Sequence, residues 1–164
     1  MSHFAAVLAR TGGSWRATEV SLAGCESIDE IADIARDVTG DLRLLFVEQD
    51  DEYAVVARVD GDDDIRVFLS DGHAADGYEL AAVIADELTA ILDQDDDGAD
   101  DELESGPAGH ESVPFGDPTV VEDLGTPAAD LLELCAHEGT LPIDLILTVC
   151  ERAGCTDAFE AVRA

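Results

Sequence analysis

The most constraining feature of this sequence is an acidic stretch near its middle. Residues 93–118 contain 10 acidic residues, no basic residues and few apolar ones. A segment with high net charge and low hydrophobicity cannot bury enough apolar surface to offset the chain entropy that folding removes. We therefore predict a disordered linker at 93–118, which separates a sheet domain at 1–92 from a C-terminal three-helix unit at 119–164.

The net charge limits the partners that the chain can bind directly. The formal charge is −31, from 39 acidic residues against 8 basic ones, all of them arginine. This charge repels phosphate groups, so we expect no direct binding to nucleic acid or to an anionic membrane. No apolar run approaches the roughly 20 residues of a membrane-spanning helix. The first residues also lack the regions of a signal peptide, so we expect a cytoplasmic protein.

The first part of the chain begins with two recognisable local signals. Two apolar stretches joined by Gly12-Gly13 predict a β-hairpin. Ser27 and Glu30 then form the pattern of a capping box, in which the serine oxygen accepts from a backbone N–H and the glutamate reaches back. Apolar residues follow at helical spacing and predict a helix over about residues 27–38.

The remainder of this part predicts three strands and a second helix. The strands are expected at 42–48, 53–59 and 65–69, and the helix at about 75–92. Because the connections between these strands are short, the strands must pair antiparallel. The order ββαβββα predicts an α+β fold with a five-stranded antiparallel sheet. The order is like that of longin or roadblock domains, an analogy that would make the protein a homodimer.

The C-terminal part predicts three short helices. Thr126-Pro127 is the pattern of an N-cap followed by proline in the first helical turn. Helices are expected at about 127–137, 142–152 and 156–163. A unit this small is only marginally stable alone, so we expect it to pack on the sheet domain or on another chain.

The acidic stretch also contains a match to a calcium-binding loop. Its defining positions, the carboxylate ligands and the turn glycine, are occupied by Asp93, Asp95, Asp97, Gly98 and Glu104. However, Asp100 stands where such a loop needs an apolar residue, and Ser105-Gly106-Pro107 interrupts the helix that should follow. Acidic tracts produce such matches by chance. We favour the linker and keep a calcium-responsive module as an alternative.

A second alternative is a small enzyme with a site at Ser70-Asp71-Gly72-His73, which groups a hydroxyl, a carboxylate and an imidazole at the end of a strand. Such residues more often cap the following helix, which is the interpretation we favour. No hydrolase or nucleotide-binding motif is present. The other histidines, His3, His110 and His137, are scattered. We assign no catalytic, cofactor-binding or metal-binding residues, expect no cofactor and predict that the protein is not an enzyme.

The cysteines favour structural roles. They occur at positions 25, 135, 150 and 155, with no Cys-x-x-Cys motif. Cys135 and Cys150 lie among the apolar positions of their helices, which is typical of buried thiols. Cys135 and His137 could supply two metal ligands, but a companion pair is lacking, so zinc is disfavoured. A disulfide is disfavoured in a cytoplasmic protein.

Five arginines recur along the strands. They are Arg10, Arg16, Arg43, Arg58 and Arg66. Strand alternation could place several of them on one face of the sheet, partly neutralised by neighbouring acids. We expect a solvated charged face there rather than an anion or RNA site, because the surrounding segment is strongly acidic.

Several short blocks spread along the chain resemble one protein family. They are Gly13-Ser14-Trp15, residues 45–53, residues 66–71, Phe115-Gly116-Asp117, residues 131–135 and residues 151–154. Together with the acidic stretch, they are similar to the actinobacterial tRNA adenosine deaminase-associated proteins. The resemblance implies association with the enzyme that converts adenosine to inosine in the tRNA anticodon, and it implies no active-site residues.

The chain itself lacks the signature of that enzyme. Zinc deaminases need His-x-Glu and Pro-Cys-x-x-Cys, whereas here His110 is followed directly by Glu111 and no cysteine pair exists. We therefore predict an accessory or interaction protein. Its acidity suits docking on a basic tRNA-binding surface, although the acidity could also serve solubility alone.

Overall fold

The protein forms an antiparallel sheet with helices on both faces. The computed structural model describes residues 3–60, 65–95, 114–136 and 140–163, with side chains excepted at 89–95. The strands are β1 (Phe4–Thr11), β2 (Ser14–Glu19), β3 (Leu42–Gln49), β4 (Tyr53–Asp60), β5 (Arg66–Leu69) and β6 (Phe115–Gly116). The helices are α1 (Ile28–Arg36), α2 (Glu79–Asp95), α3 (Ala128–Ala136), α4 (Pro142–Ala153) and α5 (Thr156–Arg163).

The α+β class and the antiparallel sheet are confirmed, but the five-strand count is wrong. The sheet has six strands in the order β2-β1-β3-β4-β5-β6. The additional strand, Phe115–Gly116, pairs with β5 and lies inside the stretch predicted as linker. A two-residue strand shows no periodicity, so the acidic composition around it concealed it. The division into 1–92, 93–118 and 119–164 stays a prediction, and residues 96–113 lie outside the described part of the chain.

Local signals explain the first elements. Gly12 and Gly13 both have positive φ, which a tight hairpin turn of this hand requires, and β1 pairs with β2 as predicted. The Ser27 side chain accepts from the Glu30 N–H over 3.2 Å and caps α1. Glu30 reaches back one residue further than expected, to the N–H of Glu26. Because β2 and β3 flank β1, α1 connects them by crossing over β1.

Both faces of the sheet are buried, each under its own helices. On the first face, β-strand residues such as Val7, Leu45 and Val55 pack against α1 and α2. On the second face, residues such as Leu8, Phe46 and Val56 pack against α3, α4 and α5. Because successive side chains of a strand point to opposite faces, the uninterrupted apolar runs of β1, β3 and β4 follow from this double cover.

The C-terminal helices pack on the sheet, which is one of the two arrangements expected from the sequence, the other being packing on another chain. Phe159 of α5 is fully buried and makes edge-to-face contacts with Phe4 and Phe46, at centroid distances of 5.7 and 5.8 Å. The three predicted C-terminal helices are confirmed. However, α3 begins at Ala128, so the prediction that Thr126 is its N-cap is wrong. The Thr126 hydroxyl is buried and has no hydrogen-bond partner among the described residues.

None of the helices in the described ranges combines the length and apolar character needed to cross a bilayer.

Candidate functional site

The Ser70–His73 loop is built as a strand end followed by a capped turn. Ser70 and Ala54 exchange two hydrogen bonds, in which the Ser70 N–H donates to the Ala54 oxygen and the Ser70 Oγ accepts from the Ala54 N–H, both over 2.9 Å. The Ser70 hydroxyl thus extends the pairing of β4 with β5. Asp71 caps the 3-10 turn Gly72–Asp76 by accepting from the His73 N–H over 3.0 Å. The capping interpretation is confirmed for Asp71.

Within this loop the imidazole faces the carboxylate rather than the hydroxyl. His73 Nδ1 lies 3.3 Å from Asp71 Oδ1, and the His73 side chain is 60% exposed. Ser70, in contrast, is buried and directed at backbone. The structure therefore brings together Asp71 and His73 and gives Ser70 a separate, structural partner.

Most residues of the calcium-loop match lie outside the described part of the chain. Asp93 and Asp95 belong to the last turn of α2, and their side chains are outside the description. Asp97, Gly98 and Glu104 lie outside the described residues, as do His110 and His137. The calcium-responsive alternative stays a prediction.

Raised pKa values hold the thiols of Cys25, Cys135 and Cys150 in their neutral form. Cys150 and Cys155 are both buried beneath α4 and α5, and a hydrogen bond with the Cys155 thiol, together with burial, raises the pKa of Cys150. Burial raises the pKa of Cys135 to about 12. Burial, reinforced by Glu30, also raises the pKa of Cys25. Because the thiolate is the reactive form, the raised pKa values leave Cys25, Cys135 and Cys150 weakly nucleophilic at neutral pH.

Three of the five strand arginines share one face of the sheet, as expected, but that face is not solvated throughout, because Arg58 is buried. Strand alternation directs Arg16 and Arg43 to the face under α1 and α2, and it directs Arg10, Arg58 and Arg66 to the other. Arg10 lies over the Trp15 ring at 5.5 Å, and Arg43 donates to the Val38 oxygen.

Arg58 is the most enclosed of these cations. It is 6% exposed, donates to Asp60 over 2.8 Å and to the Val120 oxygen over 3.1 Å, and pairs with both carboxylate oxygens of Asp123. These bonds join β4 to the segment that follows β6. The hydrogen bonds with Asp123 raise the pKa of Arg58 and lower the pKa of Asp123. Sequence analysis did not foresee the buried position of this arginine.

A cleft of about 440 Å³ lies between the connection from β2 to α1 and the start of α2. His3 Nε2 accepts from the Leu22 N–H over 3.1 Å at one wall, and burial lowers the pKa of His3. The buried Gln49 accepts from the Tyr53 hydroxyl over 2.6 Å at another. Sequence analysis missed this cleft, because its walls come from separate parts of the chain.

A second concave region lies where the β3–β4 hairpin meets α3 and α4. Two cavities, of about 160 and 380 Å³, share Leu134 and Thr140 as lining residues. We call their combined surface the α3–α4 groove. Its lining residues are Asp51, Glu52, Ser70, Asp130, Glu133, Leu134, Cys135, Thr140, Leu141, Pro142, Leu145 and Arg152.

The groove combines exposed apolar groups with carboxylates. Leu141 is 46% exposed. The carboxylates of Asp51, Glu52, Asp130 and Glu133 lie around the groove, while its cation, Arg152, is paired with Asp130 over 2.8 Å. Such an arrangement can bind a partner that is both cationic and apolar.

Across the described residues, positive charge is largely engaged within the protein. Arg36, Arg58, Arg66 and Arg152 form ion pairs with aspartates, and Arg163 lies over the Phe4 ring. Because acidic residues outnumber basic ones 39 to 8, the outer surface remains strongly negative.

Comparison with known proteins supplies a family. Searches of curated proteins and of solved structures give no match to this chain. A family model described as Rv3753c-like tRNA adenosine deaminase-associated protein matches residues 3–156. The match spans the sheet, α1 and α2 on one face and α3 and α4 on the other, so the chain belongs to the family of Rv3753c-like tRNA adenosine deaminase-associated proteins.

Proposed function

We propose that this protein is a non-enzymatic accessory protein that binds a tRNA adenosine deaminase. The observation that carries the proposal is the family to which the chain belongs, whose description names association with that enzyme. The absence of the His-x-Glu and Pro-Cys-x-x-Cys motifs from the sequence supports a partner role rather than the deaminase reaction itself.

The acidic surface supplies a physical basis for the association. An enzyme that binds tRNA needs a basic surface for the phosphates. A protein with a charge of −31 and with arginines engaged internally is attracted to such a surface. Electrostatic steering speeds the encounter of oppositely charged partners. The bound protein would occupy the basic surface when tRNA is absent and compete with tRNA when it is present.

The association is tested by co-purification of the two proteins over a series of salt concentrations. We expect a complex at low salt that weakens as salt rises, because ions screen the attraction between the two surfaces. Deamination of tRNA, measured with and without the accessory protein, then shows competition as a raised KM for tRNA. Absence of a complex at low salt would overturn the proposal.

We also propose a cytoplasmic location for the protein, where the tRNA is found. The homodimer expected from the longin analogy also remains a proposal. It is tested by light scattering, in which a mass near the 17.3 kDa of one chain argues against it.

A further inference from the structure

The α3–α4 groove places an exposed leucine among polar and acidic lining groups. Leu132 and Leu141 are the large apolar side chains that are exposed among the described residues, and Leu141 lines the smaller cavity of the groove. Leu134 and Leu145 line the same cavity beside it. A volume of about 150 Å³ corresponds to a benzene-sized group. The cavity of about 160 Å³ is therefore large enough for one branched or aromatic side chain.

The carboxylates of the groove suit cations on either side of such an apolar anchor. Asp51 and Glu52 line the smaller cavity, whereas Asp130 and Glu133 line the larger one, which adjoins it through Leu134. Arg152, the positive residue at the groove, is already paired with Asp130. Charge complementarity therefore favours arginine or lysine side chains in the occupant, placed on both sides of its apolar anchor.

We infer that the α3–α4 groove binds a basic amphipathic helix of a partner protein. One apolar side chain of that helix enters the cavity beside Leu141, and basic side chains face the carboxylates of Glu52 and Glu133. Amphipathic helices dock in this way by laying an apolar face into a groove, and few anchors supply most of the affinity. The identity of the partner rests on the proposed function. The basic and amphipathic character of the helix follows from the groove alone.

A synthetic peptide tests the groove without the partner. The probe is a fluorescein-labelled peptide of about 20 residues, above the length at which isolated helices are marginal, with leucine on one face and arginine on the other. A second peptide has the same composition, but its order leaves no apolar face. Both are titrated with the intact protein at about 0.15 M salt, where screening limits non-specific attraction. We expect the amphipathic peptide to bind about tenfold more tightly.

Leu141→Ser separates a docking role from a structural one. Leu141 precedes α4 as its N-cap, a position at which serine is more favourable than leucine. The variant should keep or raise the melting temperature, while it weakens binding of the amphipathic peptide about tenfold. Leu132→Ser is the matched control, because Leu132 is also exposed, at 39%, but does not line the groove. Equal losses in the two variants would overturn the inference.

A pair of double variants tests the carboxylates. Glu52→Gln with Glu133→Gln removes two charges from the groove, whereas Asp86→Asn with Glu160→Gln removes two from exposed positions on α2 and α5. We expect the groove variant to bind the amphipathic peptide about threefold to tenfold more weakly and the control to bind as the parent does. Equal affinities in both double variants would show that total charge alone attracts the peptide and would overturn the inference.

The same variants, tested on the deaminase, separate this inference from the proposed function. If the peptide distinguishes the variants but the deaminase does not bind the parent protein, the groove is supported and the proposed partner is wrong. If the deaminase binds Leu141→Ser as tightly as the parent, the groove is not its docking site and the inference is overturned, although the accessory role stands.

Discussion

Arg58 and Asp123 form a two-point ion pair across 65 positions of the chain, with Arg58 Nη2 lying 3.0 Å from Asp123 Oδ2. Arg58 belongs to β4, near the middle of the sheet, whereas Asp123 follows β6. The guanidinium is almost fully buried and the carboxylate is largely exposed. The pair thus ties the chain that leaves the acidic stretch to the second face of the sheet.

We predict that Arg58→Ala lowers the free energy of unfolding by about 3 kcal/mol, because it removes a buried cation from its partners and leaves a cavity. Urea denaturation followed by circular dichroism measures the change. Arg152→Ala is the control, because both partners of its ion pair with Asp130 are exposed and surface pairs contribute less than about 1 kcal/mol. Similar losses in both variants would contradict the anchoring role of Arg58.

The additional strand depends on a close backbone approach at Gly116. Its φ is +105°, and a Cβ there would collide with the Val67 backbone oxygen. We predict that Gly116→Ala lowers the free energy of unfolding by about 2 kcal/mol or more, because the positive φ alone costs about 1–2 kcal/mol and the collision adds to it.

Gly154→Ala provides the matched control for Gly116. Gly154 also has a positive φ, of +86°, but a Cβ there would meet no atom within 4 Å. We expect Gly154→Ala to lower the free energy of unfolding only by the cost of the positive φ, without the cost of a collision. If the two variants have the same denaturation midpoint, the close packing of β6 on β5 does not contribute to stability.

Much of the fold could be predicted from local signals. The glycine pair of the first hairpin and the capping serine of α1 each act within a few residues, so the sequence displays them directly. The sequence also holds a sign of the cover on the second face that the sequence analysis did not use, because the run Leu44-Leu45-Phe46-Val47 does not alternate as a half-exposed antiparallel strand would.

Features that join distant parts of the chain were not predictable in this way. Phe115–Gly116 is too short to show a period, and its partner strand lies far earlier in the sequence. Arg58 alternates like the other strand arginines, and nothing near it indicates Asp123. The α3–α4 groove likewise depends on how a hairpin tip packs beside two helices. Only tertiary structure brings these residues together.

Docking of α5 should be essential to the sheet, because Phe159 fills the second core. We predict that Phe159→Ala lowers the free energy of unfolding by about 3–5 kcal/mol, the range for loss of a buried aromatic side chain. Thermal unfolding is followed by near-ultraviolet circular dichroism from Trp15 at the sheet and by far-ultraviolet circular dichroism. The two transitions should shift together.

Phe159→Ala also tests whether the predicted units at 1–92 and 119–164 unfold independently. If the C-terminal helices unfolded independently, Phe159→Ala would lower one transition and leave the transition reported by Trp15 unchanged. Two separate transitions would contradict a shared core on the second face.

The environment of His3 should make stability depend on pH. Its Nε2 accepts a hydrogen bond from the Leu22 N–H, so the folded protein holds the neutral imidazole, and burial lowers the pKa of His3 below its usual 6.5. Between that lowered pKa and 6.5, the unfolded chain binds more protons than the folded one. Stability should therefore be fully present above about pH 6.5 and fall as the pH decreases through this window.

We predict that His3→Gln removes this part of the pH dependence of the melting temperature. His73→Gln is the control, because His73 is largely exposed and lies beside Asp71. The melting temperatures of the parent and both variants are compared at about pH 8 and about pH 5.5, values on either side of the ordinary histidine pKa. The parent and His73→Gln should lose more stability on acidification than His3→Gln does. An equal loss in all three would show that His3 does not titrate differently in the folded and unfolded states, and that its hydrogen bond to Leu22 does not select the neutral form.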